Sequence, residues 1–141
     1  MLKISTRGQY ALLVMTDLAE IGTTSFTPLK LLSHRRNLSV KYLEQILIQL
    51  GKAGFVCGSR GMNGGYKLSK EATEFTVGEI LRAIEGELSP CTNPRTSCFI
   101  SEATKEFWEN FEKTVNGYVD SVTLEDLAQR NREFTGYEYS I

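Results

Sequence analysis

Residues 37–54 read NLSVKYLEQILIQLGKAG, and this stretch has the pattern of an amphipathic helix with a cap and a stop. Ser39 is a favourable N-cap, because its hydroxyl oxygen accepts a hydrogen bond from a free amide of the first helical turn. An apolar stripe follows at the three- and four-residue spacing of an amphipathic helix: Leu43, Ile46, Leu47 and Leu50. Gly54 supplies a C-terminal stop. We therefore predict a helix that buries this stripe and leaves its other side exposed.

The sequence before this helix predicts two further helices. Apolar residues at helical spacing begin after Ser5 and stop at Gly22. Thr27 is the expected N-cap, and Pro28 the expected first residue, of a short helix that continues to about Arg35. The turn at residues 37–38 joins this short helix to the helix described above. The pair predicts a helix-turn-helix.

A β-hairpin is expected directly after the helix-turn-helix. Residues 55–60 and 66–69 are strand-like, and they flank a loop at 61–65 that is rich in residues tolerant of positive φ. A hairpin in this position is the wing of a winged helix-turn-helix. The predicted fold class is therefore mainly α with a small β-hairpin wing.

A fourth helix and a loop follow the hairpin. Thr76 and Glu79 have the spacing of a capping box, and the helix that they begin ends at Gly86. The next residues, 87–100, contain two prolines together with Cys91 and Cys98. Proline at this density argues against a helix or a central strand, so we expect a loop.

A longer helix is predicted from Ser101 to about Ser121, and Thr123 is the expected cap of a last short helix over 124–130. Large apolar side chains recur along the long helix at alternating spacings of three and four: Trp108, Phe111, Val115, Tyr118 and Val122. Such a heptad-like seam, with several aromatic rings, predicts the interface of a homodimer. The alternative is that the seam packs back onto its own domain.

Charge is unevenly distributed along the chain. The 141 residues carry a net charge of −1, yet residues 1–70 hold ten lysines and arginines against three acidic residues, whereas residues 71–141 hold six against fourteen. A basic first half is suited to binding a polyanion such as DNA, and an acidic second half discourages non-specific adhesion.

Composition and motifs exclude several function classes. No apolar run approaches the roughly 18 residues that a membrane span requires, and the N-terminus lacks a signal-peptide pattern, so we expect a cytoplasmic protein. With a single histidine there is no Ser-His-Asp or Cys-His arrangement, and neither a phosphate loop nor a dinucleotide fingerprint is present. We therefore do not expect an enzyme.

DNA binding is predicted for the exposed side of the third helix and for the wing. The candidates on the helix lie toward its N-terminal end, where base edges or phosphates are met: Ser39, Val40, Lys41, Tyr42, Glu44 and Gln45. On the wing, Arg60 beside Gly61 is the candidate for insertion into a groove. Four further basic residues are candidate phosphate contacts: Arg7, Arg35, Arg36 and Lys67. The alternative is an interaction module whose wing binds a protein.

Five segments, in unbroken order, carry a resemblance to a known family: KISTRGQYA at 3–11, LSVKYLEQ at 38–45, RGMNGGY at 60–66, GEI at 78–80 and TLEDL at 123–127. Over about residues 1–130 the chain resembles the Rrf2 family of small bacterial dimeric winged-helix regulators. The resemblance implies a homodimer that is joined through the long helix and binds an imperfect palindrome in double-stranded DNA. It also implies that Glu44 and Arg60 touch the DNA.

These observations divide the chain into four predicted regions. Residues 1–86 form the winged helix-turn-helix DNA-binding domain, and residues 87–100 form a cysteine-containing sensor loop. Residues 101–130 form the dimerisation helices, and residues 131–141 form a tail.

The sensor loop departs from the family pattern. Cluster-binding members carry three closely spaced cysteines there, whereas this sequence has two, Cys91 and Cys98. Glu102 and Lys105 stand where the third cysteine and a histidine are expected, and Gln9 stands where some members donate an acidic ligand. Iron–sulfur clusters usually need four ligands, so a further ligand would come from Glu102, His34 or the partner chain.

Three hypotheses for Cys91 and Cys98 therefore stay open: a possible iron–sulfur cluster assisted by Glu102, a thiol–disulfide switch, or a loop without chemistry. Cys57, on the first wing strand, is expected to be a small buried hydrophobe. Residues 123–128 are similar to the cysteine-metabolism branch of the family, whose members lack the cluster cysteines and respond through a partner enzyme, cysteine synthase. The overall prediction is a repressor of genes for iron–sulfur, redox or cysteine metabolism, with this cluster-free, enzyme-controlled regulator as the alternative.

Overall fold

The computed structural model describes residues 3–22, 24–89 and 101–139. In chain order they form helices α1 (Thr6–Ile21), α2 (Leu29–Arg36) and α3 (Val40–Lys52), strands β1 (Val56–Ser59) and β2 (Gly65–Leu68), a 3-10 turn at Ala72–Glu74, and helices α4 (Val77–Glu85), α5 (Glu102–Ser121) and α6 (Leu124–Tyr139). The predicted fold class, mainly α with one small hairpin, is confirmed. Across these described ranges no helix is long and apolar enough to cross a membrane.

The main core is built where α3 packs against α1. Ser39 caps α3 as predicted, because its Oγ accepts from the Tyr42 amide at 3.1 Å. All four predicted stripe residues of α3 are completely buried. Buried residues of α1 join the same cluster: Ala11, Val14, Met15 and Leu18. The exposed side of α3 is left facing away from this core.

The wing is an antiparallel hairpin that is fastened to the start of α2. Val56 of β1 lies opposite Leu68 of β2, and both are buried. Thr27 exchanges two backbone hydrogen bonds with Tyr66, at 2.8 and 2.9 Å. Thr27 was expected to cap α2, but Pro28 occupies the cap position and makes no side-chain cap bond. The reason is that the backbone of Thr27 is used to hold the wing.

The C-terminal half returns to the core through α6. Thr123 and Asp126 cap the start of α6 reciprocally, with hydrogen bonds of 2.9 and 3.1 Å. Leu124 and Ala128, on the inner side of α6, are fully buried in the main core. The prediction placed the end of this helix near Arg130, but the helix continues to Tyr139. Beyond the predicted end, Arg132 donates to the carbonyl of Ala19 on α1, and this contact holds the additional turns against α1.

The helix α5 is anchored at one end and exposed along the rest. Its C-terminal end packs through Val119 and Val122 against a second apolar cluster formed by Val77, Leu81 and Leu88. Every residue from 101 to 114 is exposed. The first two thirds of α5 therefore present a surface that the described part of the chain does not cover.

Candidate DNA interface

The exposed side of α3 and the wing form one concave surface. Its walls include Glu44 on α3, Ser59 and Gly61 on the wing, and Lys30 near the start of α2. Met62, at the tip of the hairpin, completes the rim and is fully exposed. The structure thus brings together two predicted DNA-binding residues, Glu44 and Gly61, that are separated in sequence by the rest of α3 and by β1.

The predicted residues of α3 divide by exposure. Val40, Lys41, Glu44 and Gln45 are exposed, and Arg60 is exposed on the wing. Ile48 continues the same exposed side of α3 one turn further on, with 48% of its surface accessible. The sequence analysis did not name Lys30, Ile48 or Met62. Ile48 was nevertheless detectable, because it is apolar but does not fall on the helical stripe that ends with Leu47 and Leu50.

Four other residues predicted to contact DNA also have roles within the fold. The hydroxyl of Ser39 is engaged as the cap of α3, and the ring of Tyr42 packs edge-on against Tyr10 with 5.9 Å between ring centroids. Arg7 donates from Nη1 to Gln49 at 3.1 Å, which joins α1 to α3. Lys67 places its Nζ 4.8 Å from the centre of the Phe26 ring. Each of these side chains is positioned by the domain, and their contact with DNA stays a prediction.

The arginines at the end of α2 are paired with acidic residues of α1. Asp17 is completely buried, and its carboxylate accepts from two nitrogens of Arg36, one of them at 2.8 Å. This hydrogen bond raises the pKa of the Arg36 guanidinium above its ordinary value. Arg35 lies 3.6 Å from the same carboxylate through Nε and 2.5 Å from Glu20 through Nη2. Both guanidiniums, which were predicted to contact phosphate, therefore also hold α2 against α1.

The predicted dimer seam lies on the exposed part of α5. Trp108 and Phe111 contact each other with 6.0 Å between ring centroids, and both also contact Phe107, which the sequence analysis did not name. We call Phe107, Trp108 and Phe111 the aromatic cluster; 56%, 39% and 38% of their surfaces are exposed. Val115 is half-buried and Tyr118 is exposed. Val122 differs from the others, because it packs within its own chain.

The residues proposed for sensing are only partly described. Cys91 and Cys98 lie outside the described residues, and Glu102 is exposed in the first turn of α5. Among the described residues, no three His, Cys, Asp or Glu side chains are grouped to hold a metal ion. Cys57 is an exposed free thiol, so its prediction as a buried hydrophobe was wrong. It follows Val56 on a strand whose successive side chains point to opposite faces.

The donor set does not complete an iron–sulfur site. Within one chain, two loop thiolates and the Glu102 carboxylate supply three ligands, one short of the usual four. Lys105, one turn into α5, has a side chain that only donates hydrogen bonds and is not an iron ligand. His34 stands exposed in the last turn of α2, on the helix-turn-helix. The donors of one chain therefore do not fit an iron–sulfur cluster.

Comparison with known proteins identifies the family. A family model described as Rrf2, iron-dependent transcriptional regulator, matches residues 4–130. The chain belongs to the Rrf2 family. This Rrf2 chain is 40% identical over 127 residues to the HTH-type transcriptional regulator CymR of Bacillus subtilis, a match that covers 90% of each chain.

Solved structures show the same relationship. The structure of B. subtilis CymR, described as the global cysteine regulator, matches the Rrf2 chain with a TM-score of 0.83 and 41% identity, covering 92% of this chain and 98% of that one. T. potens IscR matches with a TM-score of 0.76 and 38% identity, covering 98% and 96%. The oxidized form of Staphylococcus aureus CymR matches with a TM-score of 0.73 and 36% identity, covering 89% and 95%.

Membership makes this Rrf2 chain a winged-helix DNA-binding regulator of transcription. The relatives named above are regulators of transcription and not enzymes, in agreement with the sequence analysis. The predicted family and fold are thereby both confirmed.

Proposed function

We propose that the chain reads DNA with the exposed side of α3 and with its wing. The observation that carries this proposal is one concave surface that Glu44 of α3 and Gly61 of the wing both line. A carboxylate on a helix in the major groove accepts from the amino group of cytosine, and an arginine such as Arg60 inserts into a narrow minor groove. Lys30, which lines this surface, and the exposed Lys41 on α3 add positive charge.

The functional unit that we propose is a homodimer joined through α5. Three aromatic side chains on one exposed helix are costly to leave in water, and burying them against a second copy removes that cost. A two-fold dimer presents two copies of α3 to DNA, so the preferred site is an imperfect palindrome.

The experiment that tests DNA reading is selection of duplexes from a random-sequence library by the purified protein. Enrichment of an inverted repeat supports the proposal, with half-site centres separated by roughly 34–36 Å or a multiple of that distance. The same selection with Glu44→Ala relaxes the preference at one position of each half-site. No enrichment with the wild-type protein contradicts the proposal.

For the regulatory role, we propose a repressor of genes for cysteine or sulfur metabolism that responds through Cys91 and Cys98 as thiols. Similarity to B. subtilis CymR, whose structure is described as that of a global cysteine regulator, supports the target genes. Two cysteines separated by six residues permit either a disulfide or shared ligation, but the donors of one chain fall short of a four-ligand cluster, which favours the thiol mechanism.

Two measurements test this sensing mechanism. Anaerobically purified protein is expected to be colourless and to contain no stoichiometric iron or acid-labile sulfide. A brown protein with both iron and acid-labile sulfide contradicts the thiol mechanism and favours a cluster.

A reporter gene under control of the selected site is then compared in wild-type and Cys91→Ala/Cys98→Ala strains. The thiol mechanism predicts loss of response in the double variant, and full response favours control by a partner enzyme such as cysteine synthase.

A further inference from the structure

One carboxylate joins the C-terminal helix to the helix-turn-helix. Glu20, near the end of α1, accepts at Oε1 from the side-chain amide of Asn131 on α6, at 2.7 Å. Its other oxygen accepts from Arg35 on α2, at 2.5 Å. We call Asn131, Glu20 and Arg35 the Glu20 bridge. Asn131 lies on α6 and Arg35 on α2, and most of the chain lies between them in sequence.

The helix α2 depends on polar contacts for its position. Of its eight residues, only Leu32 is fully buried and Leu29 packs partly buried against the main core, so apolar packing fixes α2 weakly. Its cap residue, Pro28, provides no side-chain hydrogen bond. The ion pairs of Arg35 and Arg36 with α1 are therefore a large part of what holds α2 in place. A three-residue turn separates α2 from α3, so the pose of α2 sets where the DNA-facing helix begins.

The other end of the bridge follows the position of α6. Arg132 donates to the carbonyl of Ala19 at 3.1 Å, so that neighbouring residues of α6 hold the last turns of α1. Asn131 and Phe134 line an apolar groove between α1 and α6 together with Leu12, Leu13 and Leu127. The same two residues also line a polar cavity with Glu20, Arg35 and Arg36. A shift of α6 along this groove therefore moves Asn131 against Glu20.

We propose that Glu20 is a positioning residue for DNA binding, which sets the pose of α2 according to how α6 lies on α1. Glu20 makes this link without lining the concave surface that faces DNA. The inference rests on the proposed function, since it concerns how well the α3 and wing surface is presented to DNA. It makes Asn131, which does not line the concave surface that faces DNA, a determinant of sequence preference.

The test uses the full chain, an inverted-repeat duplex from the selection described above, and a scrambled duplex of the same composition. Asn131→Ala is expected to lower the ratio of affinities for the two duplexes about three- to tenfold, because coupling through one side chain is of that order. Gln129→Ala, an exposed change on the same helix, is the matched control and leaves the ratio unchanged. In a Glu20→Ala background, Asn131→Ala has no further effect, because the residue through which it acts is gone.

Thermal unfolding of each variant separates this role from a purely structural one. A variant that unfolds at a lower temperature but keeps the wild-type affinity ratio while folded overturns the proposal. Additive losses for Asn131→Ala and Glu20→Ala overturn it as well. If Glu20→Ala does not fold, Glu20→Leu serves as the background, since it has no oxygen to accept from Asn131 or Arg35. Failure of the wild-type protein to enrich any duplex overturns the proposed function itself, and is seen before any variant is made.

Discussion

At the scale of single residues, the arginines of the basic half divide into those that hold the fold and those that are free to meet DNA. Arg36 is bound to a completely buried carboxylate, Asp17. Arg60 is exposed on the wing, and no hydrogen bond or ion pair to another described residue is found for it. Identical side chains in one domain are therefore expected to give opposite results when they are removed.

Arg36→Ala is expected to lower the free energy of unfolding by about 2–4 kcal/mol, because it leaves a buried carboxylate with one distant partner, Arg35. Arg60→Ala is the matched control, and its effect on stability should stay within about 0.5 kcal/mol while DNA affinity falls. Urea unfolding followed by circular dichroism measures both variants. Equal destabilisation by the two changes would show that the structural role assigned to Arg36 is wrong.

Gly65 is a second residue whose role can be tested by a single substitution, and it lies where the wing meets α2. Its φ of +142° is in the range that favours glycine, and a Cβ there would lie 2.0 Å from the carbonyl oxygen of Thr27. Gly65→Ala should cost about 2–4 kcal/mol, because strain and backbone overlap add. Gly54→Ala, at φ +82° with open space around it, tests strain alone and should cost less. A Gly65→Ala protein as stable as Gly54→Ala would contradict this account.

At the scale of elements, α5 is the helix whose sequence is least explained by its own chain. Its aromatic cluster contributes nothing to the apolar clusters of the described chain. Changing it should therefore alter association and leave the fold intact. Trp108→Asp with Phe111→Asp is expected to give a monomer by analytical ultracentrifugation, with an unchanged circular dichroism spectrum. A double variant that remains dimeric, or that unfolds, would contradict the role proposed for α5.

The C-terminal end of α5 is held to α4 by an ion pair, which makes the stability of the fold depend on pH. Arg82 donates to both oxygens of Asp120, at 2.8 and 2.9 Å, and this lowers the pKa of Asp120 below its ordinary value of 3.8. Because this pKa is lower in the folded than in the unfolded protein, the charged carboxylate stabilises the fold at pH values above the unfolded-state pKa. This stabilisation is lost as the pH falls through the folded-state pKa.

Asp120→Asn should therefore lose less stability than the wild type between about pH 6 and about pH 3. The difference should be below about 1 kcal/mol and should shrink in high salt, because the Asp120 side chain is 46% exposed. Urea unfolding at the two pH values, with and without added salt, measures it. Identical pH dependence in the two proteins would show that the pair contributes nothing.

Sequence patterns predicted the elements because local rules determine them. The cap at Ser39 and the stripe from Leu43 to Leu50 depend on neighbours within a turn or two, and both predictions are confirmed. The Glu20 bridge was not predictable in this way, since Glu20 and Asn131 are 111 residues apart. The same holds for the bond between Thr27 and Tyr66, which moved the cap of α2 to Pro28. Long-range pairing of polar groups leaves no periodic signal in a sequence.

At the scale of the whole molecule, charge and architecture agree. The basic half forms the helix-turn-helix and wing, whereas the acidic half supplies α4, α5 and α6. The acidic residues of the second half repel DNA phosphates, so the charge distribution disfavours contact through α4, α5 or α6. This arrangement favours binding through the α3 and wing surface over binding through any other face.

The most direct test of the central claim is a fluorescence-anisotropy titration of the wild-type protein against the selected duplex and its scrambled counterpart over a series of salt concentrations. We predict that both affinities fall steeply with salt, and that Arg60→Ala reduces the slope by about one. The selected duplex should be bound roughly 10³-fold or more tightly than the scrambled one near physiological salt. Binding that is independent of salt, or equal for the two duplexes, would contradict the account of a regulator that reads DNA through α3 and the wing.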